Sequence, residues 1–203
     1  MTGMRAPPRA LCTSVIAAIA AAVLVLAAAR PCTAAPYVID HKHTEVRFAD
    51  TVGLSTQRGR FTDVEGAVEF DLAAPAKTTV RATIATASLT TGEPLVDQVL
   101  KGSDFFNVEE APHMTFASRA VRSTGAEAAE MSGDMTINGI TRPVTLEVSI
   151  APHDNPALKY SQGRLEFVAT TRIRRSAFNM TAYASMAGDD IDIEIDAILR
   201  KAQ

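Results

Sequence analysis

The stretch DIDIEIDAIL, residues 190–199, alternates an acidic residue with an apolar one over most of its length. Successive side chains of a β-strand point to opposite faces, so this alternation predicts a strand with one buried and one solvated face. Residues 64–72 and 144–150 repeat the pattern, and about eight such segments, separated by turn residues, follow residue 44. We therefore expect an all-β fold, either a sandwich or a closed antiparallel barrel.

One segment, residues 88–118, departs from this period of two. Between Glu93 and Lys101 the apolar residues fall on one stripe of a short helix. They are Leu95, Val96, Val99 and Leu100. Ala111-Pro112 then precedes the return to strand-like alternation. This segment is expected to be a helical plug or lid across the β structure.

The first 34 residues have the pattern of an export signal. Arg5 and Arg9 precede an uncharged apolar run from Leu11 to Ala29, which is followed by small residues around Ala34. We expect residues 1–34 to be a Sec-type signal peptide and residues 35–203 to be the barrel domain, periplasmic or secreted. The alternative is an uncleaved membrane anchor, since the apolar run approaches the length of a membrane span.

Composition restricts the function of the mature chain. Both cysteines, Cys12 and Cys32, lie in the predicted signal, so the mature chain has neither a disulfide nor a thiolate metal site. The full chain has a formal net charge of −3, and removal of Arg5, Arg9 and Arg30 with the signal gives the mature chain a charge of −6. This negative charge argues against nucleic-acid binding. After residue 29 there is no further long apolar run, so we expect no stable membrane insertion after signal cleavage.

The sequence evidence for a catalytic or metal site is weak. His41 and His43 would share one face of a strand, but this spacing is common by chance and no other ligand spacing supports it. A structural role for His43, bonded to a neighbouring backbone group, is favoured. No Gly-x-Ser-x-Gly elbow or comparable constellation is present. We expect no metal, no cofactor and no enzymatic activity.

Residues 172–175 form a basic run interrupted by Ile173. Such a run could bind an anionic head group. The favoured interpretation is a solvated strand end that pairs with the acidic strand at residues 190–199.

Large apolar residues recur on the predicted inward faces and in the insert. The candidates for the lining of a ligand channel are Phe48, Phe61, Val96, Val99, Leu100, Phe105, Phe106, Met114, Phe116, Met135, Ile137, Phe167, Phe178 and Met180. Core packing explains each of them equally well. A barrel of about eight strands can be filled by side chains or can hold one small ligand, and periodicity does not distinguish the two.

Seven short motifs occur in a fixed order along the chain. They are Tyr37-Val-Ile-Asp-His-Lys-His-Thr44, Arg58-Gly-Arg-Phe61, Ser88-Leu-Thr-Thr91, Leu100-Lys-Gly-Ser-Asp-Phe-Phe-Asn107, Pro112-His-Met-Thr-Phe-Ala-Ser118, Gly133-Asp-Met-Thr-Ile-Asn-Gly-Ile-Thr141 and Arg175-Ser-Ala-Phe-Asn-Met180. Together they resemble the YceI-like family of lipocalin-like, polyisoprenoid-binding proteins. The resemblance implies an extended eight-stranded antiparallel barrel with a short helix, enclosing an apolar channel for a long isoprenoid or fatty-acyl chain.

The chain also departs from the family pattern. Val96 and Val99 stand where relatives often carry Arg and His, and residues 49–57 lack a histidine that relatives often have. These departures predict a different or less polar ligand head.

The expected function is an exported protein that carries, stores or sequesters a long-chain apolar lipid without catalysis. An isoprenoid, an isoprenoid quinone and a fatty-acyl amide are the candidate ligands, and the protein is expected to be a monomer or homodimer. The alternative is a filled barrel that acts in envelope stress or protein interaction and has no lipid ligand.

Overall fold

The computed structural model describes residues 35–70, 74–150 and 164–202, which fall within one structural unit, Ala34–Gln203. The predicted signal peptide, residues 1–34, lies outside the described residues.

The described residues form eleven strand segments and one α-helix. In chain order these are β1 Ala35–Ile39, β2 Glu45–Val52, β3 Ser55–Phe61, β4 Val64–Phe70, β5 Thr79–Ala85, β6 Leu89–Thr90, α1 Pro94–Lys101, β7 His113–Ser123, β8 Ala128–Ile137, β9 Ile140–Ile150, β10 Arg164–Arg174 and β11 Asp190–Lys201. Neighbouring strands are antiparallel and follow the order β1-β4-β5-β7-β8-β9-β10-β11-β2-β3-β6.

Six of the segments combine into three long strands. β1 and β2 together form one long strand, interrupted only by residues 40–44. β3 and β4 form the next, interrupted by residues 62–63, because β1 pairs with β4 while β2 pairs with β3. In the same way β5 pairs with β4 and β6 with β3. Counted in this way the sheet has eight strand positions.

The sheet closes on itself because the first strand pairs with the last. Ile39 is opposite Leu199, and Tyr37 is opposite Lys201. This pairing confirms the eight-stranded antiparallel barrel and excludes the sandwich.

The predicted alternation sets the two faces of the barrel wall. Ile193 and Leu199 of β11 are buried inside, as is Val46 of β2. On the outer face Arg172 Nε lies 2.6 Å from Asp192 Oδ1 and Arg47 pairs with Glu194, which confirms for Arg172 the predicted pairing with the acidic strand.

The turn between β8 and β9 has the geometry that its sequence demands. Asn138 and Gly139 both have positive φ, 51° and 72°, as a type I′ hairpin turn requires. Pro143 does not delay the strand that follows this turn, since β9 begins at Ile140. β10 pairs with β9 only over residues 147–150, so the missing N–H of Pro143 breaks no hydrogen bond to β10.

Asp40 occupies the break between β1 and β2 and is buried. Its Oδ2 lies 3.0 Å from Arg200 Nε, 3.1 Å from His43 Nδ1 and 3.7 Å from Arg164 Nη2. The partner of His43 is thus this side chain and not a backbone group as we expected. Burial raises the pKa of Asp40, but the hydrogen bonds from His43 and the Lys42 N–H and the charge of Arg200 together bring it below its ordinary value.

β4 and β5 approach closely at Gly66, and this contact generates a first prediction. A Cβ at this position would overlap the backbone carbonyl oxygen of Arg81, which cannot move without breaking the β4–β5 ladder. Gly66→Ala should therefore lower the free energy of unfolding in urea by about 3 kcal/mol, the upper part of the range for overpacking. The control is Gly125→Ala, where the nearest atom would be 3.6 Å away. Equal stability of the two variants would contradict the close approach.

A second prediction concerns the charge of Asp40. Asp40→Asn should lower the free energy of unfolding at neutral pH by about 1–3 kcal/mol, because charge-assisted hydrogen bonds are lost. The folded pKa lies below the unfolded value of about 3.9, so this stabilisation is complete above the unfolded pKa and disappears as pH falls through the folded pKa.

Urea unfolding of the wild type and of Asp40→Asn, measured at neutral pH and again at about pH 2, provides the check. The free energies of unfolding of the two proteins should converge in acid. Asp192→Asn is the matched control, because its pair with Arg172 is exposed on both sides and water screens it. A stability difference that persists undiminished in acid would show that the charge of Asp40 is not what matters.

Candidate functional site

A cavity of about 450 Å³ occupies the inside of the barrel. Its wall extends from Val52 and Gln57 near α1, here called the α1 end, to Phe70 and Pro75 at the opposite end. Apolar side chains form most of this wall. The polar or charged exceptions are Thr44, Asp50, Gln57, Thr78, Thr115 and Arg175. The barrel is therefore hollow, and the cavity has the size and the predominantly apolar lining of a small-molecule site.

Three phenylalanines narrow the cavity near the α1 end. The ring centroids of Phe61 and Phe106 are 5.1 Å apart, those of Phe48 and Phe61 5.7 Å, and those of Phe48 and Phe106 6.2 Å. The ring of Phe48 lies over Gly59, its partner on β3, where any side chain would collide with it. The glycine thus provides the room that lets the aromatic cluster form.

A second aromatic group lies at the opposite end. Phe70 and Phe167 meet edge to face with ring centroids 5.5 Å apart, and the rings of Tyr37 and Phe70 also meet edge to face with centroids 6.4 Å apart. Phe70 and Phe167 both line the cavity. The cavity is therefore bounded by aromatic rings at both ends.

Helix α1 lies at one mouth of the cavity, close to the range 93–101 that the sequence predicted. Val96 and Leu100 line the cavity, whereas Leu95 and Val99 are 79% and 48% exposed. The predicted apolar stripe is therefore divided, because only one edge of the helix faces inward. Two hydrogen bonds connect the helix to the preceding segment, since the backbone N–H and Oγ1 of Thr91 each donate to Asp97 Oδ1 at 2.6 Å.

Beside α1, the rings of Phe105 and Tyr183 stack with centroids 6.0 Å apart and an interplanar angle of 12°. Both residues contribute to the cavity wall. Tyr183 and Met186 are nevertheless largely exposed, as are Leu54 and the α1 residue Leu95. The α1 end thus combines the cavity mouth with several solvent-exposed apolar side chains.

Twelve of the fourteen channel-lining candidates lie on the cavity wall. They are Phe48, Phe61, Val96, Leu100, Phe105, Phe106, Met114, Phe116, Met135, Ile137, Phe167 and Met180. Val99 lies elsewhere because it faces solvent on the outer edge of α1. Phe178 also lies elsewhere, since it belongs to the 3₁₀ turn Arg175–Phe178, where it is 1% exposed and its carbonyl accepts from Asn138 Nδ2 at 3.4 Å.

Sequence reasoning missed Asp50. It follows Val46 and Phe48 on the inward row of β2, so the alternation itself places a carboxyl group inside an apolar wall. Asp50 Oδ1 is buried and has no hydrogen-bond partner among the described residues. Burial raises the pKa of Asp50, while the charge of Arg175 opposes that shift in part.

Arg175 also differs from expectation. The basic run was predicted to be a solvated strand end, but Arg175 is only 4% exposed, so the prediction was wrong for this residue. Its guanidinium donates to four backbone carbonyls, from Nε to Gly188, from Nη1 to Met180 and Ala182, and from Nη2 to Ala187, at 2.7–3.2 Å. Arg175 therefore fastens residues 180–188 to the barrel end.

Two further findings concern only the part of the chain that the structure describes. There, no three His, Cys, Asp or Glu side chains come together in a way that could hold a metal ion. Within the same ranges, no helix has the length and apolar character needed to cross a membrane.

Comparison with known proteins places this geometry in a family. The model of the YceI-like domain matches residues 37–199. Protein YceI of Escherichia coli O157:H7 is 36% identical over 166 residues, which cover 80% of this chain and 85% of that protein.

Two solved structures share the fold. BcnA of Burkholderia cenocepacia superposes with a TM-score of 0.71 at 25% identity, over 79% of this chain and 98% of that one. A polyisoprenoid binding domain from Saccharophagus degradans, implicated in plant cell wall breakdown, has a TM-score of 0.62 over 84% of this chain and 99% of that one. Its identity is 12%, so it supports the fold alone. The extent of the domain match and the identity to the Escherichia coli protein lead to one conclusion: the chain belongs to the YceI-like family.

Proposed function

We propose that this protein is an exported binding protein that carries, stores or sequesters a lipid with a long apolar tail, without catalysing its conversion. The observation that carries the proposal is the hollow, predominantly apolar interior of about 450 Å³. The alternative function, a filled barrel without a lipid ligand, would leave this space unexplained.

The size of the cavity favours an occupant. Cavities in protein cores cost about 24 cal/mol per Å³, which puts an upper bound on the order of 10 kcal/mol on leaving this one empty. That figure is comparable to the whole stability of a typical domain, about 5–15 kcal/mol. Apolar cavities exclude water and accept apolar molecules, and one of about 150 Å³ already binds benzene.

An apolar tail alone can supply useful affinity. Burial of about ten methylene equivalents, at roughly 0.8 kcal/mol each, contributes on the order of 8 kcal/mol before the costs of association. The wall offers matching partners in flexible Met114, Met131 and Met135, whose side chains adapt to irregular ligands. The ligand class we propose is therefore an isoprenoid, an isoprenoid quinone or a fatty-acyl amide.

Family and sequence add support for the class of ligand and for export. The polyisoprenoid binding domain from Saccharophagus degradans has the same fold, and an isoprenoid ligand for the present barrel is compatible with that likeness. Export to the periplasm or out of the cell is proposed from the basic residues and the apolar run of residues 1–34.

Native mass spectrometry of the gently purified protein tests the proposal, and a cavity-filling variant sharpens it. Ala82 lines the cavity on β5, so the ring of Ala82→Phe should occupy the space of the tail. We expect the variant to lose the bound lipid and to bind geranylgeraniol at least tenfold more weakly. Its free energy of unfolding should stay within about 1 kcal/mol of the wild type, because the new ring fills existing space.

The matched control is Ala67→Phe on the neighbouring strand, where the alanine is exposed. This variant should retain the lipid. Wild-type protein that carries no lipid and binds neither isoprenoids, isoprenoid quinones nor fatty amides would overturn the proposed function. Undiminished lipid binding by Ala82→Phe would show that the cavity is not the binding site.

A further inference from the structure

We infer that the Asp50 carboxyl group is the head-group site of the cavity, and that it selects a lipid whose neutral head donates a hydrogen bond, such as a hydroxyl or an amide N–H. This inference rests on the proposed function and specifies its ligand. It also places the head at the α1 end and directs the tail into the barrel.

Asp50 lies where a ligand head would enter. Val52 follows it on the same face of β2, Gln57 is opposite it on β3, and all three residues line the cavity. The bridge between Val52 and Ala187 then joins this wall to the segment that carries Tyr183 and Met186. The carboxyl group is therefore close to the mouth beside α1, whereas the phenylalanine cluster lies deeper.

One oxygen of the Asp50 carboxyl group, Oδ1, has no hydrogen-bond donor among the described residues, and it is buried. Gln57, which is opposite Asp50 on β3, donates from its Nε2 to the Arg58 carbonyl at 3.0 Å. A buried acceptor left unpaired costs about 1–3 kcal/mol, so a ligand that donates to it recovers this cost.

The nearby cation does not turn the site into an anion receptor. All three nitrogens of Arg175 already donate to backbone carbonyls, four in total. An entering phosphate or carboxylate would lack the two-pronged contact that arginine usually gives such groups, and it would meet the like charge of Asp50. The arrangement therefore disfavours anionic heads and favours neutral donors.

Relatives often carry Arg and His at two positions of α1, and the residues that replace them in this chain also disfavour an anionic head. Here they are valines, of which Val96 lines the cavity and Val99 faces solvent. No cationic side chain of α1 reaches the cavity wall, so the helix adds no partner for an anionic head. Among the described residues that form the wall, Asp50 and Arg175 are the charged groups.

A matched set of ligands tests the inference. Geranylgeraniol, its methyl ether and its monophosphate share one tail and differ only in the head. Titration calorimetry should show that the wild type binds the alcohol about tenfold more tightly than the ether, the difference expected for one hydrogen bond to a charged acceptor. The monophosphate should bind more weakly than the alcohol.

Two variants of Asp50 distinguish the effect of its hydrogen-bond acceptor from the effect of its negative charge. Asp50→Leu should bind alcohol and ether equally, because no acceptor remains. Asp50→Asn keeps a carbonyl oxygen and loses the charge, so it should retain a preference for the alcohol and bind the monophosphate more tightly than the wild type does. Asp104→Asn, an exposed acid after α1, is the control and should leave all three affinities unchanged.

The outcomes distinguish the head-group site from the proposed function. Equal binding of alcohol and ether by the wild type would overturn the head-group site while leaving lipid binding intact. Absence of binding for all three ligands would count against the proposed function itself. If Asp50→Leu does not fold, the wild-type ratio and the Asp50→Asn titrations still decide the inference.

Discussion

Pairing between the first and the last strand is the constraint on which the rest of the structure depends. β1 and β11 come from opposite ends of the described chain, and their ladder converts an open sheet into a ring. Asp40 reinforces this seam, because it binds Arg200 of β11 and Arg164 of β10, two like charges that face each other in register. Closure pairs β1 with β11, which would otherwise be sheet edges, and it encloses the apolar space that any ligand would need. Such long-range pairing also makes folding slow, since a large loop must close before the contact forms.

Much of this fold was predictable from local sequence. The alternation of residues 190–199 and its repeats give strand positions and faces, and Asn138-Gly139 gives the hairpin. The breaks at residues 40–44, 62–63 and 86–88 were not predicted, because they arise where a long strand bends around the barrel while its partners continue. That bending depends on pairing between distant segments. No local pattern shows it.

The candidate site was less predictable for a related reason. Whether a ring of inward side chains leaves a cavity depends on the summed volume of residues from eight strand positions. The period of two therefore predicted which residues face inward, but not whether they leave a cavity. Arg175 looked like a surface residue because its neighbours are basic, yet the carbonyls that bury it come from residues 180–188. Asp50 was within reach of sequence reasoning, since the inward row of β2 places it in the wall.

The slight attachment of α1 has a consequence for how the cavity exchanges its contents. An eight-residue helix is too short to be stable alone, and none of its residues is fully buried. Its opening breaks the hydrogen bonds between Thr91 and Asp97, those from the Phe106 and Val108 N–H groups to the carbonyls of Leu100 and Lys101, and the contacts of Val96 and Leu100. It disrupts no rung of the barrel itself. The free energy of this local opening therefore lies well below that of global unfolding, and its amides should exchange with solvent faster than those of the strands. We therefore expect the mouth to open while the barrel stays closed, which would give an occupant of the cavity a path past α1 that leaves the wall intact.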